Sequence, residues 1–157
     1  MINHINNNSV DMSRDKGTVI CFDLGLKRTG VAVGNNELMT SENLTTIQAD
    51  SKISRLNKIK LIIEEWQPKY IVVGIPKNKD ETLHKISKFC LNTGKEIEKK
   101  FKLPVVFIDE DYSSTTSENI IKNDLKFNIK KKKLLIDQVS ANIILQSHFN
   151  EIKTMKE

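Results

Sequence analysis

The stretch that decides the fold runs from Thr18 to Gly34 and reads TVICFDLGLKRTGVAVG. A short apolar run rich in β-forming residues ends at Asp23, a turn containing Gly25 follows, and a second β-like run leads to Gly34. We interpret the stretch as a β-hairpin that carries one carboxylate out of a core strand. An ionised acid beside buried apolar residues needs a partner, a cation or a shifted pKa, so Asp23 is the first candidate for chemistry. The alternative is that Asp23 only caps the turn through its own backbone.

The composition is that of an ordinary soluble protein, with 157 residues, 38% hydrophobic and 29% charged. The net charge of +5 allows a polyanionic partner without requiring one. We expect a disordered extension over residues 1–16, which include four Asn, and a single domain over residues 17–152. No apolar run approaches the ~18 residues of a membrane span, so we expect a cytoplasmic protein without membrane contact. Cys21 and Cys90 are expected to be buried apolar residues outside any site.

Beyond the hairpin, apolar periodicity predicts three further strands and four helices. The first of these helices has an apolar stripe that includes Ile53. The order β-β-β-α-β-α-β-α-α is that of a mixed sheet with helices on both faces. The predicted elements are a strand from Glu37 to Ile47, a helix from Asp50 to Gln67, a strand from Tyr70 to Ile75, a helix from Glu81 to Phe101, a strand from Val105 to Ile108, a short helix opened by Thr115, and a helix from Leu134 to Phe149.

Three acids stand where such a fold binds its ligand. Asp23 and Glu110 follow buried strands, and strand ends form the ligand crevice of a sheet flanked by helices. Asp137 lies on the last helix within a wide apolar stripe, on one face with Ala141, so we expect it to point at the sheet. Small residues beside it would let the helix approach closely.

Gathering these acids requires a positive partner. Two carboxylates ~4 Å apart repel by about 4 kcal/mol at an effective dielectric near 20, and Mg²⁺ (or Mn²⁺) resolves the conflict with hard oxygen ligands. Bound divalent ions would support hydrolysis of a phosphodiester, which predicts cleavage of a nucleic-acid backbone. Two alternatives stay open: Glu110 is one of several solvated acids, or Asp137 pairs with Lys132 or Lys133 in a turn before the helix.

Further polar residues are candidates for substrate contact. Lys27 and Arg28 lie in the hairpin turn, where they could meet a phosphate, or they form a solvated turn. Asn78 follows a buried strand and could hydrogen-bond substrate or hold its own loop. We favour a solvated surface for the run of lysines at 130–133.

Four segments resemble the YqgF family, also called RuvX, a branch of the RNase H-like superfamily. The first and last of them are the most specific, and together they cover nearly everything from Gly17 to Phe149. The segments are FDLGLKRTGVAVG at 22–34, YIVVGIPKN at 70–78, Asp109-Glu110 followed by Ser113 and Ser114, and IDQVSANIIL at 136–145.

The resemblance implies an RNase H-like α/β fold with a five-stranded mixed sheet, its first three strands antiparallel. It also implies a metal-binding catalytic triad at Asp23, Glu110 and Asp137. The family is described as nucleases that mature the 5′ end of pre-16S rRNA in ribosome biogenesis, and as Holliday junction resolvases. Two departures bear on substrate affinity: Asp111 stands where the family usually has Arg, and Asp80-Glu81 stands where it usually has Asp-Gly.

These observations predict a metal-dependent hydrolase of ester bonds, with an rRNA precursor favoured over branched DNA and with contacts to ribosomal components. The sequence does not specify an oligomeric state. An ATPase or kinase lobe also opens with an Asp-x-Gly hairpin, but it needs two lobes that one domain of this size cannot supply. A non-catalytic RNA-binding assembly factor stays open as an alternative.

Overall fold

The structure is a computed structural model that describes residues 15–77, 81–110 and 129–156. These residues form one five-stranded sheet with the strand order β3-β2-β1-β4-β5. Strand β2 is antiparallel to both of its neighbours, whereas β1, β4 and β5 run parallel, so the predicted mixed sheet is confirmed. The elements are β1 (Thr18–Leu24), β2 (Arg28–Asn35), β3 (Thr40–Gln48), α1 (Lys52–Trp66), β4 (Tyr70–Pro76), α2 (Glu81–Phe101), β5 (Val105–Glu110) and α3 (Ile129–Lys156).

Helices cover both faces of the sheet, as predicted. Alternate residues of the strands point to opposite faces, and both sets are apolar because both faces are buried. Ile20 and Phe22 of β1 belong to the core beneath α1 and α2. Val19 and Cys21 belong to the core beneath α3. The central strands therefore separate two apolar layers.

Strand β2 presents only small residues to α3. Gly30, Ala32 and Gly34 alternate on this face, and an added Cβ at Gly30 would lie 1.8 Å from the carbonyl oxygen of Asp137. An added Cβ at Gly34 would lie 3.0 Å from Cδ2 of Leu145. Helix α3 thus rests directly on the backbone of β2 along its middle turns, from Asp137 to Leu145.

Helix α3 is longer than the sequence pattern predicts. It begins at Ile129, so the lysine run at 130–133 lies within the helix and the expected turn before Asp137 is wrong. Lysine has good helix propensity and does not interrupt a helix, which explains the difference.

The third strand begins at Thr40, and its predicted start at Glu37 is wrong. The residues before it form a turn in which Asn35 Oδ1 accepts hydrogen bonds from the amides of Glu37 and Leu38 at 2.9 and 3.0 Å. Met39 has a φ of 56°, a left-handed conformation that no regular strand accommodates. The hairpin turn therefore takes residues that the alternation had assigned to the strand.

Helix α1 begins after Ser51, whose side chain accepts a hydrogen bond from the amide of Ser54 at 3.1 Å. Leu56 is buried as predicted, but Ile53 is 73% exposed, so its assignment to the apolar stripe is wrong. Arg55 fills the buried position in this first turn. The helix therefore places a cation where the core was expected.

The short helix predicted from Thr115 lies outside the described residues, as do residues 1–14 of the extension predicted over residues 1–16. Within the described ranges, no helix combines the length and apolar character needed to cross a bilayer.

We expect the Gly30→Ala substitution to destabilise the protein by about 3 kcal/mol, because the new methyl group meets main-chain atoms of α3 that can move only with the whole helix. The matched control is Gly94→Ala on α2, where the added Cβ would meet the side-chain ring of Phe107 and no main-chain atom of another element; we expect a smaller loss there, because alanine improves helix propensity. Urea denaturation measures both. Equal unfolding midpoints for Gly30→Ala and the wild type would contradict the close approach.

Candidate active site

Asp23 lies directly opposite Gly30 in the β1–β2 ladder. Because it alternates with Val19 and Cys21, its side chain is on the face covered by α3. The carbonyl of Asp137 rests over Gly30, so the packing of α3 on β2 sets Asp137 beside Asp23. Two acids separated by more than a hundred residues in sequence are thereby neighbours in the fold.

Glu110 reaches the same region from the opposite side. It ends β5, pairs in register with Pro76 of β4, and alternates with Val106 and Ile108 beneath α3. Strand β4 lies between β5 and β1, so their backbones are two strand spacings apart, about 10 Å. Side chains that extend from both strands over β4 can share one cleft.

One cleft of about 200 Å³ is lined by all three predicted carboxylates, Asp23, Glu110 and Asp137. Arg28 also lines it. Cys90 lines it as well; it is buried, as expected, and donates its S–H to the carbonyl of Leu24 at 3.5 Å. The other lining residues are mostly apolar and include Ile86, Pro76, Ile136 and Ile144.

Burial in the cleft raises the pKa of two of its acids, and for Asp23 the charge of a neighbouring acid adds to the effect. Burial, and then the charge of Asp137, raise the pKa of Asp23 to about 7. Burial also raises the pKa of Asp137, opposed by the hydrogen bond and the charge of Arg28. Burial raises the pKa of Cys21 well above its usual value, and the charges of Asp23 and Glu110 add to the effect. The cleft thus concentrates negative charge in a poorly solvated place.

Arg28 pairs with an acid of the site. Its Nε donates a hydrogen bond of 2.7 Å to Oδ2 of Asp137, and the two side chains are 42% and 19% exposed. The Nη groups of Arg28 make no further hydrogen bond within the described part of the chain. The predicted phosphate contact is therefore also the residue that orients one carboxylate.

The remaining predicted substrate residues are placed differently. Lys27 is exposed in the β1–β2 turn beside the cleft. Asn78 lies outside the described residues, as do Asp80 and Asp111, so their roles stay predictions.

The donor chemistry of the cleft fits a hard divalent cation, since its candidate ligands are carboxylate oxygens. Among the described residues, however, no three His, Cys, Asp or Glu side chains are close enough together to hold one metal ion. One oxygen of Asp137 is engaged by Arg28. The three acids share a cleft but do not form a closed ligand set in this side-chain arrangement.

Small residues on the helix predicted the close approach of α3, but the strand side of this contact was not predicted, although the alternation of Gly30, Ala32 and Gly34 was an available signal. The role of Arg55 was not predicted either. Its Nη2 donates a hydrogen bond to the main-chain carbonyl of Leu26, and such a partner leaves no signal in the sequence.

The sheet order and the acidic cleft beneath a long helix define the RNase H-like class of α/β proteins. The structure of T. thermophilus RuvC in complex with Holliday junction substrate matches with a TM-score of 0.51 at 12% identity, over 87% of this chain and 96% of that chain. The fowlpox virus Holliday junction resolvase matches with a TM-score of 0.50 at 15% identity, over 85% of this chain and 99% of that chain. At these identities the matches show the fold.

The family follows from sequence. The model of the RuvX family, described as Holliday junction resolvase, matches residues 17–151. A Nitrosomonas europaea protein is 36% identical over 138 residues, 88% of this chain and 93% of the relative. A Dechloromonas aromatica protein is 40% identical over 133 residues, which are 85% of this chain and 90% of the relative. Both relatives are provisionally named pre-16S rRNA nucleases. The chain belongs to the RuvX family, which confirms the resemblance.

The raised pKa of Asp23 predicts that the metal-free protein loses stability as pH rises. Asp23 ionises near pH 4 in the unfolded chain and near pH 7 in the folded protein, so the folded state binds more protons between these values. We expect Asp23→Asn to gain on the order of 3 kcal/mol relative to the wild type between pH 4 and pH 8.

Urea denaturation in a chelating buffer across this range measures the difference. Asp50→Asn, at an exposed acid, is the control and should follow the wild type. Parallel profiles of Asp23→Asn and the wild type would contradict the burial of an ionisable group at this position.

Proposed function

We propose that this protein is a cytoplasmic, metal-dependent nuclease that hydrolyses phosphodiester bonds, with the 5′ end of pre-16S rRNA as its substrate in ribosome biogenesis. The observation that carries the proposal is the assembly of Asp23, Glu110 and Asp137 around one cleft beside a cationic turn. The names of the relatives at 36% and 40% identity support rRNA as the substrate.

Asp23 and Glu110 are proposed as ligands of Mg²⁺ (or Mn²⁺), and Asp137 as the residue that completes the site and orients water. When bound, the cation supplies an activated water and stabilises the leaving oxygen of the phosphodiester. Asp23 is fixed by its place within a paired strand. Asp137 is fixed by the contact of its backbone with Gly30 and by Arg28. The chain therefore holds its acids on rigid elements, as a hydrolytic site requires.

Arg28 and Lys27 are proposed to bind phosphate. Because Asp137 accepts from Nε of Arg28, the Nη groups can donate to phosphate oxygens at the cleft. Lys27 is exposed in the same turn and supplies a second cation. Asn78, which follows β4 in the sequence, is a further proposed substrate contact.

Branched DNA is the second candidate substrate, and the description of the family model favours it. We place it after rRNA because the relatives named for rRNA are more than twice as similar in sequence as the solved resolvases. A non-catalytic factor that binds ribosomal components is the outcome to expect if binding occurs without cleavage.

We expect Asp23→Asn, Glu110→Gln and Asp137→Asn each to lower the cleavage rate by about a hundredfold or more, because each removes a charge from the proposed cation site. The substrates are a 5′-extended 16S rRNA fragment and a four-way DNA junction, with Mg²⁺ or Mn²⁺. Circular dichroism checks that each variant is folded. Glu42→Gln, at an acid on the edge strand β3, is the control and should cleave as the wild type does.

The outcomes separate the candidates. Cleavage of the junction alone would replace rRNA processing with resolution of branched DNA. Binding of RNA with no cleavage by any form would favour an assembly factor. Equal cleavage by the wild type and Asp23→Asn would refute the proposed site.

We expect Lys27→Ala to weaken RNA binding and to reduce the slope of log affinity against log salt by about 1, because one phosphate contact is lost. Fluorescence anisotropy with Asp23→Asn as the background measures binding without cleavage. Lys60→Ala, at an exposed position of α1, is the control. An unchanged slope in the Lys27 variant would show that Lys27 contacts no phosphate.

A further inference from the structure

The β1–β2 turn beside the cleft is held by its main chain. Nη2 of Arg55 donates a hydrogen bond of 2.7 Å to the carbonyl of Leu26. The amide of Ala49 donates one of 3.0 Å to the carbonyl of Lys27. Two consecutive carbonyls of the turn are thus held, one by the first turn of α1 and the other by the segment that links β3 to α1.

Arg55 is an unusual anchor. It is 7% exposed, and its guanidinium lies 5.0 Å from the centre of the Phe89 ring. Within the described part of the chain, Arg55 forms no ion pair with a carboxylate. Its side chain has one hydrogen-bond partner there, the carbonyl of Leu26. Burying a charge is costly unless it is compensated. Among the described residues, the Leu26 carbonyl and the Phe89 ring compensate the charge of Arg55, and the hydrogen bond to Leu26 fixes the turn.

The fixed turn carries an exposed apolar side chain between two residues that line the cleft. Leu26 is 67% exposed, and its neighbours Gly25 and Arg28 line the cleft. A single exposed leucine is common on protein surfaces. Leu26 differs because its backbone is anchored from inside the fold and because two cations, Lys27 and Arg28, follow it directly. An apolar group beside cations complements a nucleic acid, in which flat apolar bases alternate with phosphates.

We propose that Leu26 contacts an unstacked nucleobase next to the phosphate bound by Lys27 and Arg28, and that Arg55 is the positioning residue that holds Leu26 there. The proposal rests on the proposed nuclease function. It makes the turn a determinant of specificity, because a base is available to Leu26 in single-stranded or flexible regions and is withheld in a continuous duplex.

The first test compares two exposed leucines in hairpin turns. Leu26→Ala, in the Asp23→Asn background, should bind single-stranded RNA about fivefold more weakly and duplex RNA of equal length unchanged. Leu38→Ala is the matched control, since Leu38 is 72% exposed in the β2–β3 turn at the opposite end of β2. Equal binding by the two variants, or an equal loss for both RNAs, would overturn the contact.

The second test asks whether Arg55 acts through Leu26. Arg55→Met should weaken binding of single-stranded RNA as much as Leu26→Ala does, and the double variant should be no weaker than either. Arg55→Lys should recover part of the affinity, because its ammonium can donate to the same carbonyl. Additive losses, or no rescue by lysine, would overturn the positioning role.

Hydrogen exchange supplies a readout without RNA. In Arg55→Lys and Arg55→Met the amides of residues 26–28 should exchange faster while those of β4 stay protected.

If Arg55→Met does not fold, Arg55→Lys and the two leucine variants test the proposal. Loss of cleavage in the triad variants together with equal binding by Leu26→Ala and Leu38→Ala would overturn this inference alone. Absence of cleavage in every form, with the leucine difference intact, would overturn the nuclease proposal and leave the base contact standing.

Discussion

Helix α3 and strand β2 meet without a side chain between them at Gly30, and the placement of the acids depends on that contact. Because Gly30 has no Cβ, the carbonyl of Asp137 can approach the strand backbone. The strand register then places Asp137 beside Asp23, because Gly30 is the ladder partner of Asp23. The position of Asp137 is therefore determined by the packing of two rigid elements, and no flexible loop intervenes.

The same contact has an electrostatic cost. It holds Asp137 close enough to Asp23 to help raise the pKa of Asp23 to about 7. Arg28 offsets part of this by pairing with Asp137. A fold selected for stability alone would not keep partly buried acids facing one another, and functional sites commonly store such unfavourable energy. Relief by a cation would convert that energy into affinity for the ion.

Much of the fold could be predicted from local pattern. The apolar run before Asp23, the Gly-containing turn and the stripe in α2 each follow from a period of two or 3.6 residues. That Asp23 and Glu110 share a cleft could be predicted because strand ends meet at one edge of a parallel sheet, and that Asp137 joins them could be predicted because it lies within the apolar stripe of the last helix. The ends of the elements and the contact partners of the side chains were not predicted correctly. The start of β3 depends on a left-handed Met39, and the start of α3 depends on lysines that suit helix and turn alike.

Contacts between side chains that are far apart in the sequence were harder to predict. The pair of Arg28 and Asp137 joins residues 109 positions apart, and nothing local in either segment indicates it. Arg55 is harder still, because a cation that binds a main-chain carbonyl imposes no residue type on its partner. Composition also gave no reason to expect that Ile53 would be exposed while Arg55 took its place in the interior.

The small-residue face of β2 also determines how such a chain can diverge. Aliphatic side chains of α3 can exchange for one another, because a neighbouring methyl group can fill the space that another leaves. Position 30 has no such freedom, since anything larger than hydrogen displaces main-chain atoms on the opposite element. A strand of alternating minimal residues, preceded seven positions earlier by an aspartate, is therefore a pattern by which remote members of this lineage could be recognised after their helices have drifted beyond alignment.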